Sequence, residues 1–270
     1  MPTTYAHDLF GKLLYRELPS SMKEVLKKHT NLYRIGLHGP DIFFYFMIHH
    51  NPVFSFGEKM HDESADEFFE NGMRLYRRTG NDEILAYLYG FAAHFLLDST
   101  CHPYINRMHR EGVISHTLLE KEYDRHLMIR TGKDPLFYRP SDCIVPKKRY
   151  AWIIHQVIPE IHTSTVYLSL VHMKWITNSM LPDRRDIKNR LIHNTGKLLG
   201  NHGLTGMSEH FMKRTPPEGY EEQLADLDSL FEKALCEAPG YMKELEKLSR
   251  QKDVLSERWD LDYGGRQFTV

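Results

Sequence analysis

A chain of 270 residues with 41% hydrophobic and 26% charged residues has the make-up of a soluble globular protein with a substantial core. Its formal net charge of −1 argues against the strong basic field that nucleic-acid or anionic-membrane partners select. Three scattered cysteines, Cys101, Cys143 and Cys236, make no disulfide framework and suit a reducing compartment.

The first residues, MPTTYAHDLFGKLLYREL, lack a charged start followed by an apolar run, so no signal peptide is expected. No stretch approaches the ~20 apolar residues of a transmembrane helix, and the expected location is the cytoplasm. Period-2 alternation is rare, whereas 3.6-type spacing recurs throughout. The expected fold class is therefore all-α, one multi-helix domain over residues 1–270. Thr4 to Leu18 reads as a first helix ended by Pro19, Ser20 to Lys28 as a second, and Asn31 to Leu37 as a short third. The apolar run from Asp41 fits helix or strand, with Pro52 as its end. Glu58 to Arg78 reads as one amphipathic helix.

A central helix follows from Asn81 or Asp82, with Pro103 as its limit. Ser115 caps a helix from His116 to Arg130, and residues 132–146 form a proline-rich loop. Two or three helices are expected between Lys147 and Met180, and another from Pro182 to about Gly200. NHGLTGM, residues 201–207, is glycine-rich but lacks the Lys-Ser/Thr ending of a phosphate loop. Leu224, Leu227, Phe231 and Leu235 form a stripe, a short helix follows from Tyr241 to Arg250, and the tail after Trp259 reads as loosely held.

The chemistry concentrates in the central helix. His94, Asp98 and His102 stand at four-residue steps, which places them on one face. From Ile84 to Leu97, His94 is the one strongly polar side chain. A helix apolar all round is buried, and buried His and Asp must be paired or hold a metal. His116 and Glu120 repeat the step on the next helix. Imidazole and carboxylate suit zinc without any thiolate. His61-Asp62 admits an HD-type phosphohydrolase instead, with His38 or His49 and Asp98 as partners, but that leaves His102, His116 and Glu120 unexplained. His29, His155, His162, His172, His193 and His210 show no partner pattern. Tyr104, Tyr123 and Arg125 lie near the cluster without a specific signal.

The stretches TYAHDLFG, HGPDIFFY, KMHDESADEFF, AHFLLDSTCHPYI and SHTLLEKEYDRHL, in order over residues 4–127, resemble the zinc-dependent phospholipase C and P1 nuclease family, most closely its non-secreted bacterial branch. The C-terminal helices, 147–250, match only in being helical. The resemblance implies a metal cluster between central helices. Asp41, His61, His94 and Asp98 would hold one zinc ion. Asp98 would bridge to a second, shared with His7, and His102, His116 and Glu120 would hold the third. Two ions rather than three is the alternative. In the secreted phospholipases the third-site histidine lies further past the Asp, yet the gap to the H-x3-E pair favours His102 over His109. Those enzymes also ligate through a processed N-terminus; here Pro2 would stand in that place. Choline-cleaving members carry aromatics where this chain has Ile42 and Glu58, so a choline headgroup is not carried over.

Eight side chains, Asp98 counted twice, make nine of the twelve bonds that three four-coordinate ions require, which leaves open positions. Three carboxylates against three Zn²⁺ leave a positive site suited to a phosphate and a bound hydroxide. The implied activity is hydrolysis of a phosphate ester, such as a phospholipid headgroup bond, with Asp41 as a ligand or proton acceptor. The alternatives are a P1-type nuclease, nucleotidase or phosphomonoesterase, and a non-catalytic metal-binding helical module.

Overall fold

The structure is a computed structural model that describes residues 4–47, 51–181, 211–213, 215–250 and 254–267, together with Ile187, Leu191, Asn194 and Thr195. These four are helical and fall in the helix expected from Pro182, whose other residues lie outside the described residues, as do the glycine-rich loop, Pro2, His49, His50, His193 and His210.

The described residues form helices and connecting turns: α1 (Thr4–Glu17), α2 (Ser20–Lys28), α3 (Thr30–Gly36), a 3-10 turn (Gly39–Tyr45), α4 (Pro52–Asp62), α5 (Ala65–Thr79) and α6 (Asp82–Arg110). Then come α7 (His116–Arg130), a second 3-10 turn (Pro140–Cys143), α8 (Lys148–Val157), α9 (Thr163–Ser179), α10 (Glu221–Arg250) and a last 3-10 turn (Glu257–Asp260). No strand occurs among them, in keeping with the all-α expectation.

Helix α6 is the axis of the fold. Asn81 Oδ1 caps it by accepting from the Glu83 N–H at 3.0 Å, Asp82 and Glu83 sit in its first turn, and Arg107, His109 and Arg110 in its last. Every residue from Glu83 to Ser99 is buried, because α1, α2, α3, α5, α7, α8 and α10 pack around it. By length and apolar composition α6 could cross a membrane, which corrects the expectation that no stretch comes near that size. Its apolar window is wholly buried inside the protein, so it serves as a core helix.

The closest packing is with α3. A Cβ on Gly90 would lie 2.1 Å from the Tyr33 carbonyl oxygen, and one on Gly36 would lie 2.4 Å from the Tyr87 carbonyl oxygen. Two glycines therefore let the two backbones touch, which fixes where the chain after α3 meets α6.

Prolines account for several differences from the sequence reading. Pro103 does not limit α6, which runs on to Arg110. Proline deprives the Ser99 carbonyl of its helical donor. Arg258 braces that turn from outside, with Nη2 donating to Ser99 Oγ at 2.8 Å and Thr100 Oγ1 at 2.7 Å. Pro239 likewise sits inside α10, which is one helix rather than two, because Leu227, Phe231, Ala234, Ala238, Met242 and Leu245 keep one continuous buried face. Pro52 opens α4 rather than ending the preceding run. Its missing N–H costs nothing in the first turn, and Asn51 Oδ1 accepts from the Val53 and Phe54 N–H groups.

The single helix expected over Glu58 to Arg78 is two, α4 and α5. Glu63 is extended at the break, and the Ala65 N–H donates to the Leu261 carbonyl. That contact shows the largest departure: the described part of the tail, residues 254–267, is packed against the helices. Trp259 is fully buried, edge-on to Phe69 at 4.8 Å and stacked on Phe95 at 5.5 Å, with Nε1 donating to Glu244 at 3.0 Å.

Candidate metal centre

Five elements deliver the eight residues singled out by the sequence. Helix α6 presents His94, Asp98 and His102 from successive turns. Helix α1 contributes His7, the first 3-10 turn Asp41, α4 His61, and α7 His116 and Glu120. Gly39 has φ +46° and lies so near His94 that a Cβ there would meet the ring at 2.2 Å, so the turn carrying Asp41 rests directly on that imidazole.

The eight side chains converge. Asp98 lies between two imidazoles, with Oδ1 3.2 Å from His7 Nε2 and Oδ2 3.1 Å from His94 Nε2. Asp41 Oδ1 is 2.9 Å from His61 Nε2, and its Oδ2 is 3.8 Å from His94 Nδ1. Glu120 Oε1 is 3.2 Å from both His102 Nε2 and His116 Nε2. The ring of His7 stacks on that of His94 with centroids 4.3 Å apart. Three sets of donors each fall within 4.8 Å of one another: His7, Asp41 and His94; His61, His94 and Asp98; His102, His116 and Glu120.

The orientation of the imidazoles is the telling feature. His61 Nδ1 is held by the Gly57 carbonyl at 2.7 Å, His94 Nδ1 by the Leu37 carbonyl at 3.3 Å, His102 Nδ1 by the Tyr263 carbonyl at 3.0 Å, and His116 Nδ1 by Asn106 Oδ1 at 3.1 Å. An acceptor at Nδ1 holds a ring proton there and makes Nε2 the nitrogen that a metal would take, displacing any second proton, as a metal-ligating histidine requires. Buried His94 Nε2, His7 Nδ1, Asp41 Oδ2 and Glu120 Oε2 have no hydrogen-bond partner among the described residues. Buried polar atoms are seldom left so. The donor set and these orphaned atoms fit zinc.

The electrostatics describe a cluster that is charged without metal. Burial opposes the charge on Asp98, but His102, His94 and His7 hold its carboxyl well below the usual range. Burial likewise opposes ionisation of Glu120, and His116 and His102 override it, holding the pKa low. Burial also works against protonation of His102, yet Asp98 and Glu120 push its pKa up to about 10. His7 and His61 move upward in the same sense, against burial, under Asp98 and Asp41 respectively.

A cleft of about 200 Å³ opens onto the cluster. Its walls include Asp41, His61, Asp98, His102, His116 and Glu120, along with six residues outside the eight ligand candidates: Phe44, Asp62, Asn106, Tyr263, Gly264 and Arg266. Asn106 continues the four-residue step of 94, 98 and 102 and was legible on that ground. Tyr263 and Arg266 come from the tail and left no local signal. Arg266 closes the rim by donating to Asp62 and Asp262, each at 2.7 Å.

Asp62, paired with Arg266, joins none of the donor sets among the described residues, contrary to the HD-type alternative. His38, buried beside Cys143 Sγ at 3.5 Å, also joins none of them among the described residues. Tyr123 donates to the Leu227 carbonyl and Tyr104 faces Asp226, both on α10, whereas Arg125 pairs with Glu122 on its own helix and donates to the Lys213 carbonyl, so these three side chains serve packing rather than the cleft.

No curated protein and no solved structure matches the chain. A family profile described as zinc dependent phospholipase C matches residues 1–190, a span that includes all eight residues of the cluster. The chain belongs to the zinc-dependent phospholipase C family.

Proposed function

We propose that the protein is a zinc-dependent phosphoric ester hydrolase of phospholipase C type, with His7, Asp41, His61, His94, Asp98, His102, His116 and Glu120 as the metal ligands. The observation that carries this reading is the set of four imidazoles whose Nδ1 atoms are fixed by acceptors. These eight residues would together hold up to three zinc ions. Zinc, when bound, supplies Lewis acidity, lowers the pKa of the attacking water and offsets phosphoryl charge.

The chain's own residues do the rest. Asp98 holds His7 Nε2 through Oδ1 and turns Oδ2 toward His94 Nε2, so that one carboxylate faces two ligand nitrogens. Asp41 leaves Oδ2 unpartnered beside the cleft, where it can ligate or accept a proton from the attacking water. Phe44 and Tyr263 supply aromatic walls to the cleft. A cleft of about 200 Å³ has room for a phosphate and a small substituent, and a net charge of −1 offers no strong basic field for nucleic acid, which favours a phospholipid headgroup or a small soluble ester. The free cysteines support a reducing compartment such as the cytoplasm.

The test is hydrolysis by zinc-loaded protein of a chromogenic phosphodiester, a chromogenic phosphomonoester, phosphatidyl vesicles and single-stranded RNA. Chelator-sensitive cleavage of the diester and a phosphatidyl substrate is expected. Preference for RNA or the monoester would move the assignment to the nuclease or phosphomonoesterase reading, and no hydrolysis of any ester would leave a non-catalytic metal-binding module.

A further inference from the structure

Four of the five histidines in the cluster are oriented through Nδ1, but His7 is not: its Nδ1 is buried and unpartnered among the described residues. Its Nε2 faces Asp98 and its ring lies on His94. With no acceptor at Nδ1, the remaining constraint on its position comes through the backbone of α1. His7 lies in the first turn of that helix, where the N–H groups have no acceptor within the helix.

Those N–H groups find their acceptor far away in sequence. The Tyr5 N–H donates to Asp124 Oδ2 at 3.0 Å and the Ala6 N–H to Asp124 Oδ1 at 2.7 Å. Asp124 is only 6% exposed, so the two bonds satisfy a buried carboxylate with both oxygens engaged. A carboxylate at a helix N-terminus also meets the positive end of the helix dipole. Asp124 stands four residues after Glu120 on α7, so one face of α7 carries both side chains. The same helix thereby places Glu120 beside His102 and His116, and clamps the helix that carries His7.

We propose that Asp124 is a positioning residue for His7: by clamping the Tyr5 and Ala6 N–H groups it sets the His7 imidazole against Asp98 and ties the His7 and Glu120 parts of the cluster together through α7. It touches no substrate and ligates nothing itself. The inference rests on the proposed function only where zinc is the readout.

The experiment uses the full chain with Asp124→Asn and Asp124→Ala, each in parent and His7→Ala backgrounds. In metal-free protein, long-range ¹H–¹⁵N spectra follow the imidazole nitrogens of His7 and His116. The expected result is a shift of the His7 signals in both Asp124 variants with His116 unmoved. In zinc competition titrations, one equivalent is expected to weaken by about 10–100-fold, the usual effect of removing an orienting partner, with no further loss when His7 is already Ala. Unmoved His7 signals in the folded Asp124→Asn protein would overturn the proposal. So would an equal loss of zinc affinity in the His7→Ala background, which would make Asp124 a merely structural cap. If Asp124→Ala does not fold, Asp124→Asn decides between the same two outcomes. If the chain binds no zinc, the metal-free spectra still decide the role of Asp124 independently of the hydrolase reading.

Discussion

The contact between Gly90 and α3 yields a quantitative prediction. An alanine methyl at position 90 would sit 2.1 Å from the Tyr33 carbonyl oxygen and 2.9 Å from Gly36 Cα, both backbone atoms with no rotamer to yield. Cβ contacts essentially never fall below 3.0 Å, so α3 must withdraw by about 1 Å. Such overpacking costs about 1–3 kcal/mol, toward the upper end where backbone opposes backbone. The better helix propensity of alanine returns about 1 kcal/mol. A net loss of about 2 kcal/mol lowers the Tm of a protein this size by about 4–8 °C. The displacement should also reach the site, because α3 leads into the turn that carries Asp41 onto His94. Gly240→Ala is the control: it lies within α10 with nothing near its missing Cβ, and should gain about 0.5–1 kcal/mol. Thermal unfolding followed by circular dichroism reads both. A Gly90→Ala protein that melts at or above the parent temperature would refute the account of how α3 and α6 meet.

The remaining predictions concern the tail, the second layer of the site and pH. Trp259→Ala should cost about 3–5 kcal/mol, because it empties a buried aromatic cluster, and a denaturant midpoint close to the parent value would contradict that. Asn106→Ala removes the acceptor at His116 Nδ1 and should weaken one zinc equivalent by about 10–100-fold in a chelator competition, leaving the fold intact by circular dichroism. In metal-free protein the folded-state pKa of His102 stands above its unfolded value, at about 10 against 6.5. Its contribution to stability is then fully present below about pH 6.5 and is lost as pH rises through about 10. The Tm difference between parent and His102→Gln should accordingly shrink between pH 7 and 10, and a constant difference would contradict the assignment.

The central helix and its four-residue series were legible because periodicity, caps and polar residues in an apolar run all report the same geometry. The same series extends to Asn106, one step beyond where Pro103 suggested a stop. Prolines misled in both directions: inside a helix a local rule gives about 3 kcal/mol against proline, and a buried face the length of α10 outweighs it. At Pro52 the same residue was an opening rather than a closing signal. The tail was illegible in another way. Tyr263 acts on His102 through its carbonyl oxygen, a group every residue possesses, so its side chain carries no trace of the contact. Asp124 resembles any other helix carboxylate until the chain folds and Tyr5 and Ala6 arrive beside it.

The most direct test of the central claim is zinc content per chain by elemental analysis, on untagged protein purified without added metal, beside the His116→Ala variant. A zinc cluster held by these eight residues predicts near three ions in the parent and a loss of about one in the variant, whose ring nitrogen meets Glu120 at 3.2 Å. A content of zero or one, unchanged by the substitution, would contradict it and make these histidines hydrogen-bonding residues of the core.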